Sequence, residues 1–140
     1  MTNITDAIDQ LFEEKGLPLK KEQAADGNFV YNGMFTLQPN KPIHFSLVVQ
    51  NQEDVADYQV VFDELAFVTS FDKKAAVLER LNALNISQTA HYTAILAADG
   101  EIYIRVVSRI SKENVKPLYD IMVVGSSIAY QLLPNLAEVI

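Results

Sequence analysis

Few residues in this chain have types that invite chemistry: His44 and His91, Arg105 and Arg109, and the adjacent acidic pairs Glu13-Glu14 and Asp63-Glu64. Neither histidine sits at a spacing, such as HxxxH, that assembles a metal site or a nucleophile, so each reads as a structural or surface histidine. Asp63 and Glu64 fall in a strand pattern, where neighbours point to opposite faces, and two such carboxylates do not share a proton as an acid–base dyad. Arg105 and Arg109 fall on one face of one strand, with Tyr103 and Val107 in register. There they suit a carboxylate or phosphate, although solvated sheet charges are the plainer expectation. The chain has no cysteine, which removes disulfides, thiolate metal sites and cysteine nucleophiles. No GxGxxG or GxxxxGK[ST] stretch offers a phosphate cradle. The sequence therefore predicts no catalytic residue, no metal site and no cofactor, and the chain reads as non-enzymatic.

The elements that position these residues belong to one domain spanning 1–140, a length that lets a chain bury roughly two thirds of its unfolded surface. Hydrophobic residues make up 49% and charged residues 21%, with no stretch of disordered composition. The net charge of −7 lies in the first half: residues 1–70 hold eleven acids and four lysines, whereas residues 71–140 hold seven of each sign. That balance repels nucleic-acid phosphates and anionic membrane surfaces, and neither is expected as a partner. The opening lacks the basic start and apolar run of a secretory signal, so a cytoplasmic location is expected.

Periodicity supplies the order. Ile4, Ala7, Ile8, Leu11 and Phe12 make one helical face, closed by Gly16 and Pro18. After the linker PLKKEQAADGN, the runs FVYNGMFTLQ, PIHFSLVVQ and DYQVVFDELAFV read as three strands. Asn32-Gly33 suits either a two-residue hairpin turn or a glycine bulge, the bulge being preferred, and Asp63-Glu64 marks a bulge or an exposed face. A second helix follows, capped by Ser70 or Asp72 and striped by Val77, Leu78, Leu81 and Leu84. TAHYTAILAADGEIYIRVVSRI is a hairpin whose Asp99-Gly100 suits a type I′ turn. From about Ser111 a last helix runs at least to Leu133, where Pro134 disfavours continuation. The expectation is an α+β fold, a mainly antiparallel sheet of about five strands with helices packed on it, in the order α-βββ-α-ββ-α.

That order, the acidic charge, RLNALN closing the middle helix, the DGEIYIRV second hairpin strand and the long last helix resemble the YbjN-like proteins, which are similar in fold to type III secretion chaperones. The resemblance covers essentially the whole chain. It implies a homodimeric, non-enzymatic binding fold, and for the secretion chaperones a role in holding an extended segment of another protein. It brings no catalytic residues.

The last helix carries the remaining signal. Ile121 to Ala137 is a run of seventeen uncharged residues, short of the about twenty needed to cross a bilayer and interrupted by polar residues, so no membrane span is expected. Leu118, Ile121, Gly125, Ile128 and Leu132 form one apolar face, and Tyr119, Met122, Ser126, Ala129, Leu133 and Leu136 form an adjoining one. Either both faces are core, or the small residues admit another chain. The second reading places Ile121, Gly125, Ile128, Ala129 and Leu132 at a partner-binding surface, a homodimer seam or a groove for another polypeptide. The leading expectation is a chaperone-like or regulatory protein-binding homodimer. The alternative is a small-molecule sensor with a closed pocket between sheet and helices, lined by aromatic strand residues and anchored by Arg105 or His91.

Overall fold

The computed structural model describes residues 3–140. Helix α1 (Ile4–Glu14) leads into strands β1 (Lys20–Gln23), β2 (Phe29–Phe35), β3 (Ile43–Val49) and β4 (Val55–Phe67). A 3-10 turn (Phe71–Lys73) then opens helix α2 (Lys74–Ser87), followed by β5 (Thr93–Leu96), β6 (Glu101–Ser111) and helix α3 (Lys116–Ala137). The strands form one antiparallel sheet in the order β1-β2-β3-β4-β6-β5. The fold is α+β, as the sequence predicts, with a sixth strand.

The extra strand is β1, within the stretch read as a linker. All four of its residues are exposed, so it has no apolar alternation to announce it; its conformation comes from pairing with β2. Asn32-Gly33 makes neither a turn nor a bulge, because β2 pairs with β3 without interruption from Phe29–Val49 to Phe35–Ile43. Space at 33 is tight: a Cβ there would displace the end of the Leu19 side chain and stand 3.0 Å from Phe45 Cε1. The irregularity falls at Asp63-Glu64, between Phe62 and Ala66, with Glu64 in the left-handed region at φ 54°. In the β5–β6 hairpin only Gly100 takes a positive φ, and its N–H bonds the Ala97 carbonyl at 3.0 Å. A type I′ turn needs positive φ at both central residues, so this is a longer connection instead.

Alternate strand residues enter the core: Ile43, Phe45, Leu47 and Val49 from β3, Ala56, Tyr58, Val60 and Phe62 from β4, Ile102, Ile104 and Val106 from β6. The helices cover that face, α3 over β4 and β6, α2 against β5 and α1 beside α3. Asn3 caps α1, accepting from Thr5 N at 3.0 Å while its own N–H bonds Asp6 at 2.9 Å. Asp9 on α1 accepts from the Tyr31 hydroxyl at 2.6 Å and from Lys21 Nζ at 2.7 Å, joining the helix to β2 and β1. Burial, and then the hydrogen bond to Asp9, push the Tyr31 phenol far above its ordinary pKa, so it stays a donor. In α2, Val77, Leu81 and Leu84 are buried but Leu78 is not, and neither expected side-chain cap is made.

Helix α3 starts at Lys116, later than expected, because β6 continues to Ser111; it also runs through Pro134 to Ala137. Proline removes one helical donor, and Leu132 and Leu136 on either side of it are fully buried, so packing overrides the local penalty. Tyr130 fastens this helix to the β2–β3 loop: its hydroxyl accepts from Leu37 N–H at 3.1 Å and lies within donating reach of the Phe35 (3.1 Å) and Lys41 carbonyls. Tyr130→Phe should cost about 1–2 kcal/mol by stranding these backbone groups. Denaturant titration checks the loss, and hydrogen exchange should quicken at the Leu37 amide while the β4–β6 ladder stays protected.

Candidate functional site

Four of the five residues assigned to a partner surface on α3 belong to the chain's own core. Gly125, Ile128, Ala129 and Leu132 are buried, and Ile121 is half-buried. The small residue at 125 does admit a close approach, but from within the chain. A Cβ at this position would overlap the Tyr92 hydroxyl and lie 2.5 Å from Phe62 Cε1. The Tyr92 hydroxyl donates to the Ile121 carbonyl at 2.7 Å, which fastens α3 to the start of β5. Burial pushes this phenol well above its ordinary pKa. The expected partner seam at these four positions is therefore corrected to an intramolecular helix–sheet contact.

What α3 leaves open lies beside it. Hairpin arms β5 and β6 are unequal, four residues against eleven. The Lys112 N–H reaches the Asp54 carbonyl at 2.8 Å, which fixes the parity of the β4–β6 ladder: Ile110, Ser108 and Val106 exchange their backbone bonds with β4. On the opposite side, Ala97 N–H reaches the Glu101 carbonyl at 2.8 Å, so Glu101, Tyr103 and Arg105 face β5. Strand β5 begins only at Thr93, opposite Arg105, and among the described residues no other strand continues the sheet beyond it. Val107 and Arg109 thus present N–H and C=O groups along an unpaired edge. Beyond them, the Ser111 carbonyl accepts from Asn114 N at 3.0 Å and closes the stretch.

A groove of about 480 Å³ follows this edge. Tyr58, Val106, Ser108 and Ile110 form a largely apolar floor; Pro117, Asp120, Ile121 and Val124 of α3 form one wall; His91 stands at the end nearest β5. The Val107 side chain points to the opposite, helix-free face of the sheet and is 60% exposed. Arg109 Nε pairs there with Asp57 Oδ1 across the strands at 2.7 Å, and that hydrogen bond holds the Asp57 carboxyl below its usual range. Arg105 shares the face, as the strand period predicts. His44 is remote from the groove and pairs with Asp63 at 2.7 Å.

The aromatic strand residues expected to line a closed ligand pocket pack on one another instead. Phe35, Phe45 and Phe62 stack at 4.9–6.0 Å between centroids, and Tyr92 meets Phe62 at 5.9 Å. Among the described residues no group of His, Cys, Asp and Glu is placed to hold a metal ion, and no helix is long and apolar enough to cross a membrane. Sequence reasoning missed the open edge, because TAHYTAIL reads as one alternating run and only the fold ends the pairing at Thr93. No protein-family model matches this chain, and no curated protein matches it in sequence.

Gly125→Ala should destabilise the fold by about 1–3 kcal/mol, the cost of overpacking a filled core, although alanine favours helix. Tyr92→Phe in the same background should not recover the loss, because Tyr92 Cζ and Phe62 Cε1, the latter at 2.5 Å, still overlap the new Cβ and the bond to the Ile121 carbonyl is forfeited. Thermal denaturation of the single and double variants reads both effects.

Proposed function

We propose that this chain is a non-enzymatic polypeptide-binding module, chaperone-like or regulatory and acting as a homodimer, which takes an extended segment of another protein as an added strand on β6. The observation that carries this reading is the unpaired edge at Val107 and Arg109. Successive N–H and C=O groups in strand geometry are complementary to another extended backbone, and main-chain bonds of this kind supply affinity in strand addition. The flanking groove supplies selectivity. A strand laid there turns alternate side chains towards Val106, Ile110 and the α3 wall, where apolar residues fit, and the others towards the solvent-facing side beside Arg105 and Arg109. Apolar residues alternating with acidic or polar ones match that pattern.

The other end of the sheet is built differently. Strand β1 exposes Lys20, Lys21, Glu22 and Gln23, charged and polar side chains of the sort that discourage edge pairing. The β6 overhang carries Val107 and Ser108 before its first charge at Arg109.

Val107→Pro tests the reading, because the lost N–H faces the open side and takes no part in the β4 ladder, so the fold is retained. Twelve-residue peptides selected by display on the full chain should bind the Val107→Pro protein at least tenfold more weakly, with thermal stability little changed. Bound peptide should also slow hydrogen exchange at the Val107 and Arg109 amides. Peptides that bind the variant equally well, or leave those two amides unprotected, would sink strand addition on β6.

A further inference from the structure

A strand added at the β6 edge has one position that the groove singles out. Among the described residues, Val107 and Arg109 alone offer free backbone groups before the Ser111–Asn114 bond. An antiparallel strand, the pairing used throughout this sheet, therefore exchanges bonds with two residues of β6. The ligand residue between those two pairs stands opposite Ser108, at the closer Cα separation of about 4.5 Å. Directly opposed residues share a face. Ser108 pairs with the buried Tyr58 of β4 and alternates with Val106 and Ile110, all on the helix side, so the ligand side chain opposite it turns into the groove.

At that point the groove departs from an apolar slot. Val106 and Ile110 are large and buried, whereas Ser108 is small and exposed, which leaves room above the floor between them. Asp120 lies on the wall alongside and is the one carboxylate lining the groove. It is exposed and belongs to none of the ion pairs formed within the chain among the described residues. Arg109, the only lysine or arginine among the lining residues, is already held by Asp57 on the opposite face. A carboxylate without a cation beside apolar surface suits a side chain with an apolar stem and a cationic head. The net charge of −7 favours the approach of a segment carrying one.

We propose that Asp120 is the specificity determinant of the β6 site, selecting extended segments with a lysine or arginine opposite Ser108 and apolar residues two positions to either side, towards Val106 and Ile110. This rests on strand addition at β6 and adds the chemistry of the partner.

Selection of random twelve-residue peptides on the full chain, and separately on the full chain carrying Asp120→Lys, tests it. Peptides recovered on the unaltered chain should share a lysine or arginine flanked two positions away by apolar residues; those recovered on Asp120→Lys should carry an acid there. Asp120→Asn, or norleucine in place of the peptide's basic residue, should each weaken binding roughly fivefold, with no further loss when combined. Raising the salt concentration should shrink the difference. Because Asp120 is exposed, the circular dichroism spectrum should not change. Peptides that are weakened by Val107→Pro yet lack a shared basic residue, or ignore Asp120→Asn, overturn the assignment and leave strand addition standing. Losses that add when the two changes are combined place the cation elsewhere and overturn it as well. Peptides indifferent to Val107→Pro overturn strand addition and this assignment together.

Discussion

The rest of the structure depends on how closely α3 lies against the sheet at Gly125. The Tyr92 hydroxyl reaches over this residue to the Ile121 carbonyl, and the Phe62 ring fills the space beside it. Any side chain at 125 would push the helix away. With the helix held at this distance, Met122, Ala129 and Leu132 close the core over β4 and β6, and the N-terminal turns from Pro117 to Val124 stand beside the β6 edge. The same contact explains why this uncharged helix is not itself a partner surface: its small residues accommodate aromatic rings from the chain's own sheet.

The two ends of the sheet then acquire different characters. At one end β1 is short, polar and anchored through Lys21 and Asp9 to α1. At the other, β5 covers only the first part of β6, and its polypeptide turns away at Ala90, which adopts a positive φ of 51°. Because antiparallel backbone bonds alternate in direction, stopping one strand early leaves its neighbour with donors and acceptors aimed at solvent. An unpaired edge beside an apolar floor is a costly arrangement to leave open to any chain, and here it is narrow, two residues of free backbone bounded by the Ser111–Asn114 bond.

Helix α2 shows a related economy of surface. One side contributes Val77, Leu81 and Leu84 to the core while the adjoining side carries Phe71, Leu78 and Ile86 outwards. Its exposed and buried stripes adjoin, so its sequence lacks the single polar face by which an ordinary surface helix is recognised. The stripe pattern alone therefore assigned Leu78 to the core, and burial separates it from Leu81.

The sequence by itself determined the element types and most of their order, because periods of 3.6 and 2 are written in residues such as Ile4, Ile8 and Leu11 or Ile102, Ile104 and Val106, whose faces must be buried. It also offered Asp63-Glu64 as a bulge or an exposed face, and the register of β4 against β6 makes it the bulge. The tertiary structure decided what local patterns cannot encode: that Lys20–Gln23 is a strand, since only pairing with β2 makes it one; that helix persists through Pro134, since burial of Leu132 and Leu136 outweighs a lost backbone bond; and that Gly125 receives Tyr92. It also decided where β5 begins relative to β6. An open edge is a property of two strands and the space between them, and no single stretch of residues carries it.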